Sequence, residues 1–205
     1  MLSLKYILST THLFIVTFIL SAVISYFVTP FVIRLAYKIG AIDVPKDNRR
    51  VHKKPIPRLG GLSIAISFFI TLLLFSTITK EMLVLFISLS IIIIMGIIDD
   101  IKGLGAKFKF LIQIFAATLV AVFAFRIKFL ANPFEPMHYW FLGNFSIPVT
   151  VFWIVGITNT VNLIDGLDGL AAGISAISSM TLALILFKNG DYFFTLILIA
   201  LIGAI

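Results

Sequence analysis

Long apolar runs separated by short polar stretches fill most of the chain. The runs fall at about residues 12–37, 60–78, 82–98, 108–125, 148–163, 170–187 and 192–205. All but the last approach the ~20 residues that carry a helix across the ~30 Å hydrocarbon core of a bilayer. They are continuous rather than alternating, and a backbone in lipid must satisfy its own polar groups, so they predict helices rather than barrel strands. The expected fold is therefore all-α, a polytopic transmembrane bundle of six complete spans plus a partial seventh, forming a single domain over residues 1–205. The first run lacks a small-residue cleavage site and reads as an uncleaved helix. The last run is short and carries no terminal polar anchor, so the chain is expected to be an N-terminal fragment of a longer one.

Composition supports this reading. Of 205 residues, 60% are hydrophobic and 12% charged, with a mean hydropathy of +1.15, which excludes an ordinary water-soluble domain. The net charge of +7 does not call for nucleic acid, because many of the cations sit in short loops beside apolar runs, where they set topology. The absence of cysteine excludes a thiolate metal site and a cysteine nucleophile.

Counting crossings places residues 38–59, 99–107 and 164–169 on one side of the membrane. Residues 79–81, 126–147 and 188–191 lie on the other side with the N-terminus. Helix ends included, the first side holds eleven of the 16 Lys and Arg residues. It is expected to be cytoplasmic, with the N-terminus outside. In the outer loop, Asn132-Pro133, Pro136 and Gly143-Asn144 are turn signals between short apolar runs, which suggests a surface hairpin with His138 and Trp140 at the interface.

Three motifs fall on the cytoplasmic side. Asp43 to Gly61 is a basic, proline-stiffened loop ending in Pro55-Ile56-Pro57-Arg58-Leu59-Gly60-Gly61. Its cations suit a diphosphate or a lipid phosphate, with Arg58 at the mouth of the second helix, or serve only as an anchor on anionic headgroups. Asp99-Asp100 follows an isoleucine-rich run and precedes Lys102, Lys107 and Lys109, with Gln113 one turn further on. Adjacent carboxylates beside the membrane are costly unless neutralised, and Mg²⁺, which takes carboxylate and phosphate oxygens, would neutralise them. Asn159, Asn162, Asp165 and Asp168 recur every third residue. If the helix persists, they form one polar stripe, with Gly166 and Gly169 letting the backbone leave the helix. Solvated helix ends and polar packing are the plain alternatives. The common side favours a bound cation and an anionic substrate.

At these residues the chain resembles the polyprenyl-phosphate N-acetylhexosamine-1-phosphate transferases, from roughly residue 30 to its end. Asp99-Asp100 with its lysines and Asn159 through Gly173 are similar to that family's acidic motifs. His52 through Gly61 is similar to the branch using UDP-N-acetylglucosamine and differs from the Thr-Pro-Thr-Met-Gly-Gly of the lipid I branch. The resemblance implies transfer of N-acetylglucosamine 1-phosphate from the UDP-sugar to undecaprenyl phosphate in a bacterial inner membrane, releasing UMP and initiating a cell-envelope glycan. The alternatives are the phospho-N-acetylmuramoyl-pentapeptide transferase of the same family and an ion-coupled transporter. Transport fits less well, because the acids lie at span ends and no internal repeat is visible.

Asp99, Asp100, Asp165 and Asp168 are the expected catalytic acids. Asn159, Lys107, Arg58 and His52 are the expected substrate-binding residues, and Asn162, Asp99 and Asp100 the expected ligands of Mg²⁺, or alternatively Mn²⁺. The partners implied are the UDP-N-acetylhexosamine, the polyprenyl phosphate and the membrane, with no nucleic acid and a homodimer left open. The family continues into further helices with another metal-binding aspartate and a histidine-rich loop, and this sequence contains neither.

Overall fold

Wherever the apolar run is long enough, it becomes helix. The computed structural model describes residues 4–43, 55–132, 134–135 and 138–205, with the side chains of α1 described from Thr11 onward. In chain order the elements are α1 Leu4–Ile39, β1 Ile42–Asp43, β2 Ile56–Pro57, α2 Gly60–Phe75, α3 Lys80–Lys102, α4 Ala106–Phe123, β3 Phe129–Ala131, β4 Tyr139–Phe141, a short 3-10 turn Gly143–Phe145, α5 Ser146–Ile164, α6 Leu170–Lys188 and α7 Tyr192–Ala204. Five helical stretches, Thr11–Ile39, Lys80–Lys102, Ala106–Phe123, Gly143–Ile164 and Leu170–Lys188, are long and apolar enough to cross a bilayer. This is a multi-pass membrane protein.

The expectation of six complete spans is not met in full. The second run forms α2, a helix of 16 residues, about 24 Å long against the ~30 Å of a bilayer core. Its run stops early because Ser76 turns extended at ψ 150°. The last run forms α7, with 13 residues.

Burial is inverted relative to a soluble protein. Ala36, Ser21, Ser67, Thr71, Ala200 and Ala204 are fully buried, whereas Phe31, Phe152, Ile177 and Leu74 are more than half exposed. Lipid is as good a solvent for leucine as a protein core, so small residues that let backbones approach take the interior and large ones face outward.

The fold divides into two compact units, Met1–Thr77 with Leu167–Ile205, and Ile78–Gly166. In the first, α7 packs on α1, α2 and α6. Ser21 and Ser25 of α1 donate to the carbonyls of Ala200 and Ala204 of α7, both at 2.7 Å. The two residue numbers rise together, so α1 and α7 run parallel. Ser67 of α2 donates to the Ser21 carbonyl. Gly203 lies so close to α1 that a Cβ on it would stand 2.5 Å from the Phe18 carbonyl oxygen. At the N-terminal end of α7, the rings of Phe14, Phe187 and Tyr192 meet at 5.8–6.4 Å. The paired strands β1 and β2 lie at the end reached by the C-terminus of α1, and α6 begins at that same end because it runs against α7.

In the second unit α4 packs between α3 and α5. The three helices alternate in direction, so the C-termini of α3 and α5 share an end with the N-terminus of α4. The opposite end carries the expected hairpin, β3 paired antiparallel to β4.

Candidate active site

Asp99 occupies the last turn of α3, where the chain must stop and reverse within three residues. Gly103 closes the helix at φ 69°, a left-handed conformation that suits glycine, and its N–H donates to the Asp99 carbonyl at 2.8 Å. The Asp99 side chain extends the cap: Oδ1 accepts from the Leu104 N–H at 2.7 Å, and Oδ2 accepts from Lys109 Nζ at 3.0 Å. Both oxygens of a half-buried carboxylate are thus engaged, one by the loop backbone and one by a cation of α4. This satisfies the charge that the isoleucine run would otherwise leave exposed to an apolar setting. Asp100 is half-buried beside it.

One turn beyond Lys109, Gln113 is 8% exposed and accepts from Asn159 Nδ2 at 2.7 Å. The same Nδ2 donates to the Val155 carbonyl at 2.8 Å. Both donor bonds of Asn159 are therefore spent inside the bundle, and its Oδ1 is the atom left to meet a ligand. Lys109 and Gln113, one helical turn apart, line one stripe of α4 and tie the Asp99 motif of α3 to the Asn159 motif of α5. This link is the structural core of the site.

Beyond Asn159 the expected four-residue stripe shortens. α5 ends at Ile164, and Asp165 caps it at φ −73° and ψ 62°. The Gly166 N–H then turns back to the Ile164 carbonyl at 2.7 Å. Asn162 and Asp165 remain exposed at this end of the unit. Asp168 does not continue the stripe, because it lies past the helix in the turn before α6, which Gly169 opens at φ 75°. It belongs to the other unit. Lys107 is exposed on the first turn of α4.

In the first unit Arg58 pairs with Asp43 at 3.2 Å, and its N–H donates to the Ala41 carbonyl at 3.0 Å. The β1–β2 bridge thereby pins the two ends of the basic loop together. His52 and the cations Lys46, Arg49, Arg50, Lys53 and Lys54 lie outside the described residues. Among the described residues, no three His, Asp or Glu side chains cluster as a metal cage.

An open groove of about 640 Å³ runs between α4 and α5. Phe110, Ile114, Ile147, Val151 and Phe152 line it, and Asn159 stands among its lining at the Asp99 end. Its walls are apolar from the hairpin end to the polar end, so it fits a flexible hydrocarbon whose head would lie beside the polar groups.

The chain is similar to known proteins of one family. The model of glycosyl transferase family 4 matches residues 82–205, which cover α3 to α7 and both acidic motifs. The chain belongs to glycosyl transferase family 4. Among members of the family, it is 44% identical over 177 residues to a probable undecaprenyl-phosphate N-acetylglucosaminyl 1-phosphate transferase of Bacillus subtilis, covering 86% of this chain and 49% of that protein. It is 35% identical to a phospho-N-acetylmuramoyl-pentapeptide-transferase of Wolbachia pipientis, covering 92% and 63% of the two chains. A decaprenyl-phosphate N-acetylglucosaminephosphotransferase of Mycolicibacterium smegmatis is 34% identical, covering 79% and 42%. The chain thus spans about half the length of the first of these relatives.

Within this family framework, the structure brings Asp99 and Asn159 together through α4, leaves Lys107, Asn162 and Asp165 exposed at the same end, and assigns Arg58 and Asp168 to the other unit. Sequence reading did not select Lys109 or Gln113 as site residues. The signal was present, since a lysine and a glutamine four apart at the start of an apolar helix share a face.

Proposed function

We propose that this chain carries part of the active site of a polyprenyl-phosphate sugar-1-phosphate transferase. The reaction moves N-acetylglucosamine 1-phosphate from UDP-N-acetylglucosamine to undecaprenyl phosphate. The observation that carries this reading is the Asp99–Lys109 and Gln113–Asn159 link at one end of the second unit, set beside the apolar α4–α5 groove. The polar end suits phosphates and the groove suits an isoprenoid tail. The B. subtilis relative supports the donor and the acceptor. The charge bias supports a cytoplasmic position for this end, with the N-terminus outside, and the bacterial relatives support an inner membrane as its setting.

A lipid phosphate is largely ionised at neutral pH, its second pKa being near 6, so it attacks with little help from a base. Its oxygen forms a bond to the sugar-bearing phosphorus as the bond from that phosphorus to the UMP oxygen breaks, and UMP leaves with the electron pair. Lys107 and Lys109 supply positive charge to the transferred phosphate, and Asn159 presents its Oδ1 toward the donor. Asp99, held by Lys109 and the Leu104 N–H, positions that lysine. The second unit also gathers oxygens of the kind that a hard divalent cation, Mg²⁺ or Mn²⁺, takes, the amide of Asn162 and the carboxylate of Asp165 being exposed at the same end as the Asp99–Asp100 pair. When bound, such a cation would neutralise charge on the diphosphate. This reading moves Asp99 from metal ligand to positioning group, because both its oxygens are already engaged. Arg58, His52 and Asp168 keep their proposed roles on their motifs alone.

The test is transfer of labelled sugar phosphate from UDP-N-acetylglucosamine to undecaprenyl phosphate in membranes carrying the protein, with and without a chelator. Chelator-sensitive lipid labelling is expected, and labelling that survives complete chelation would exclude the metal. Labelling only with a muramoyl-pentapeptide donor would support the second reading, which the W. pipientis relative favours.

A further inference from the structure

At the end of the second unit opposite Asp99, the six strand residues of the β3–β4 hairpin are all exposed. Phe129 pairs with Phe141, Leu130 with Trp140 and Ala131 with Tyr139. Side chains alternate across a strand, so Phe129, Ala131, Tyr139 and Phe141 share one face, and Leu130 and Trp140 the other. Both faces are apolar. Phe141 is 82% exposed, and Phe134, in the turn, 84%.

We propose that this hairpin is an interfacial anchor, a stiff ribbon lying in the headgroup and upper acyl layer of the bilayer. Three observations select lipid as its partner. First, the ribbon is apolar on both faces, whereas a protein surface docked on one face would leave the other in water. Second, a two-stranded ribbon has open backbone edges that need water, which excludes the hydrocarbon centre and leaves the interface, where aromatic rings collect. Third, Arg126 and Lys128 are exposed at its base, where they suit the phosphates of lipid headgroups.

The base is also tied to the start of α5. Ser146 Oγ, on the first turn of α5, donates to the Ile127 carbonyl, and the Ile127 N–H donates to Thr150 Oγ1 at 2.9 Å. The Leu142 N–H donates to the Lys128 carbonyl at 3.0 Å. At the turn, Glu135 and His138 pair at 3.1 Å. The base of the ribbon is therefore anchored on α5 by buried hydroxyl contacts, and it stands apart from the transfer chemistry proposed above.

The chain has two tryptophans, Trp140 in the hairpin and Trp153 in α5, so Trp153→Phe leaves the hairpin as sole reporter. In bilayers, lipids brominated near the glycerol end of the acyl chain should quench Trp140 about twofold more than lipids brominated near the methyl end, as for a ring at the headgroup boundary. Acrylamide should quench it weakly. Strong acrylamide quenching with no effect of brominated lipid would overturn the proposal by placing the ring in water. Protection from both quenchers would also overturn it, by showing that protein covers the ribbon. Should Trp153→Phe fail to fold, the difference between the unmodified protein and Trp140→Phe isolates the same signal.

Discussion

The two units use their buried and half-buried polar side chains for different ends. In the four-helix unit, Ser21, Ser25 and Ser67 direct their hydroxyls to backbone carbonyls of the neighbouring helix, so each polar group is consumed by packing. In the three-helix unit, the hydrogen bonds between Lys109 and Asp99 and between Asn159 and Gln113 join side chain to side chain. They gather at one end and leave Asn162 and Asp165 exposed. A side-chain-to-backbone bond needs only a small residue at a close crossing, and it builds a scaffold. A side-chain pair keeps lone pairs and charges available, and it builds a site. Substitutions at these residues should therefore separate cleanly, those at the helix-crossing serines and their partners acting on stability and those along the Asp99–Asn159 link on activity.

The largest effect is expected at Asp99. Asp99→Asn removes the charge that orients Lys109 but can keep the bond from the Leu104 N–H. Sugar-phosphate transfer should fall by about 10²–10³-fold, as for the loss of an electrostatic group at a transferring centre. The melting midpoint in detergent should shift by only a few degrees. A stability loss large enough to account for the missing activity would break the comparison, because Asp99 would then be serving the scaffold.

At Gly203 the expectation reverses. An added methyl must displace the Phe18 carbonyl and Ser21 Cβ, 2.5 and 2.9 Å from where it would stand. Gly203→Ala is expected to destabilise by about 1–3 kcal/mol, the usual cost of overpacking a close contact. Residual activity per folded molecule should remain near the unsubstituted value. Denaturant titration alongside the transfer assay separates the two quantities.

These two positions also show what could be read from sequence. Asp99 was legible because two adjacent carboxylates after eight consecutive apolar residues demand an explanation. The same holds for the hairpin, whose turn residues stand between short apolar runs. Gly203 was not legible, because a glycine near the end of an apolar run does not reveal which backbone approaches it. The length of α2 was hidden for a related reason: hydropathy continues to residue 78, but the chain turns extended at Ser76, and hydropathy does not register that break. The stripe from Asn159 to Asp168 failed at its far end because three-residue spacing describes side chains only while the helix lasts, and it stops at Ile164. Asn159 itself needed its partner from α4, about 46 residues away in sequence, which periodicity within α5 cannot supply.

Gln113 tests whether the site depends on the α4 stripe. Gln113→Leu keeps the volume but removes one of the two acceptors of Asn159 Nδ2, leaving the amide held by the Val155 carbonyl alone and less firmly oriented. Transfer should fall about tenfold, the equivalent of one hydrogen bond of ~1.4 kcal/mol. The loss should appear in KM for the UDP-sugar if Asn159 holds the donor in the ground state, and in kcat if its oxygen acts only in the transition state. Gln113→Glu keeps an acceptor oxygen and should restore most of the activity. Equal loss in both variants, with normal folding, would mean that the orientation of Asn159 is unimportant.

The smallest effect is expected at Ser25, where the hydroxyl reaches the Ala204 carbonyl at 2.7 Å near the last turn of α7. The bond joins α1 to α7 at a close parallel crossing of small residues. Even so, hydrogen bonds between membrane helices average about 0.6 kcal/mol, because the separated helices find other partners. Ser25→Ala should therefore cost about that much and leave transfer unchanged. Ser25→Val should cost more than Ser25→Ala, since it adds branched bulk at a parallel crossing that depends on small residues. If the two substitutions prove equal, the α1–α7 contact is held by the hydroxyl alone, and the scaffold of the first unit would be polar rather than steric in origin.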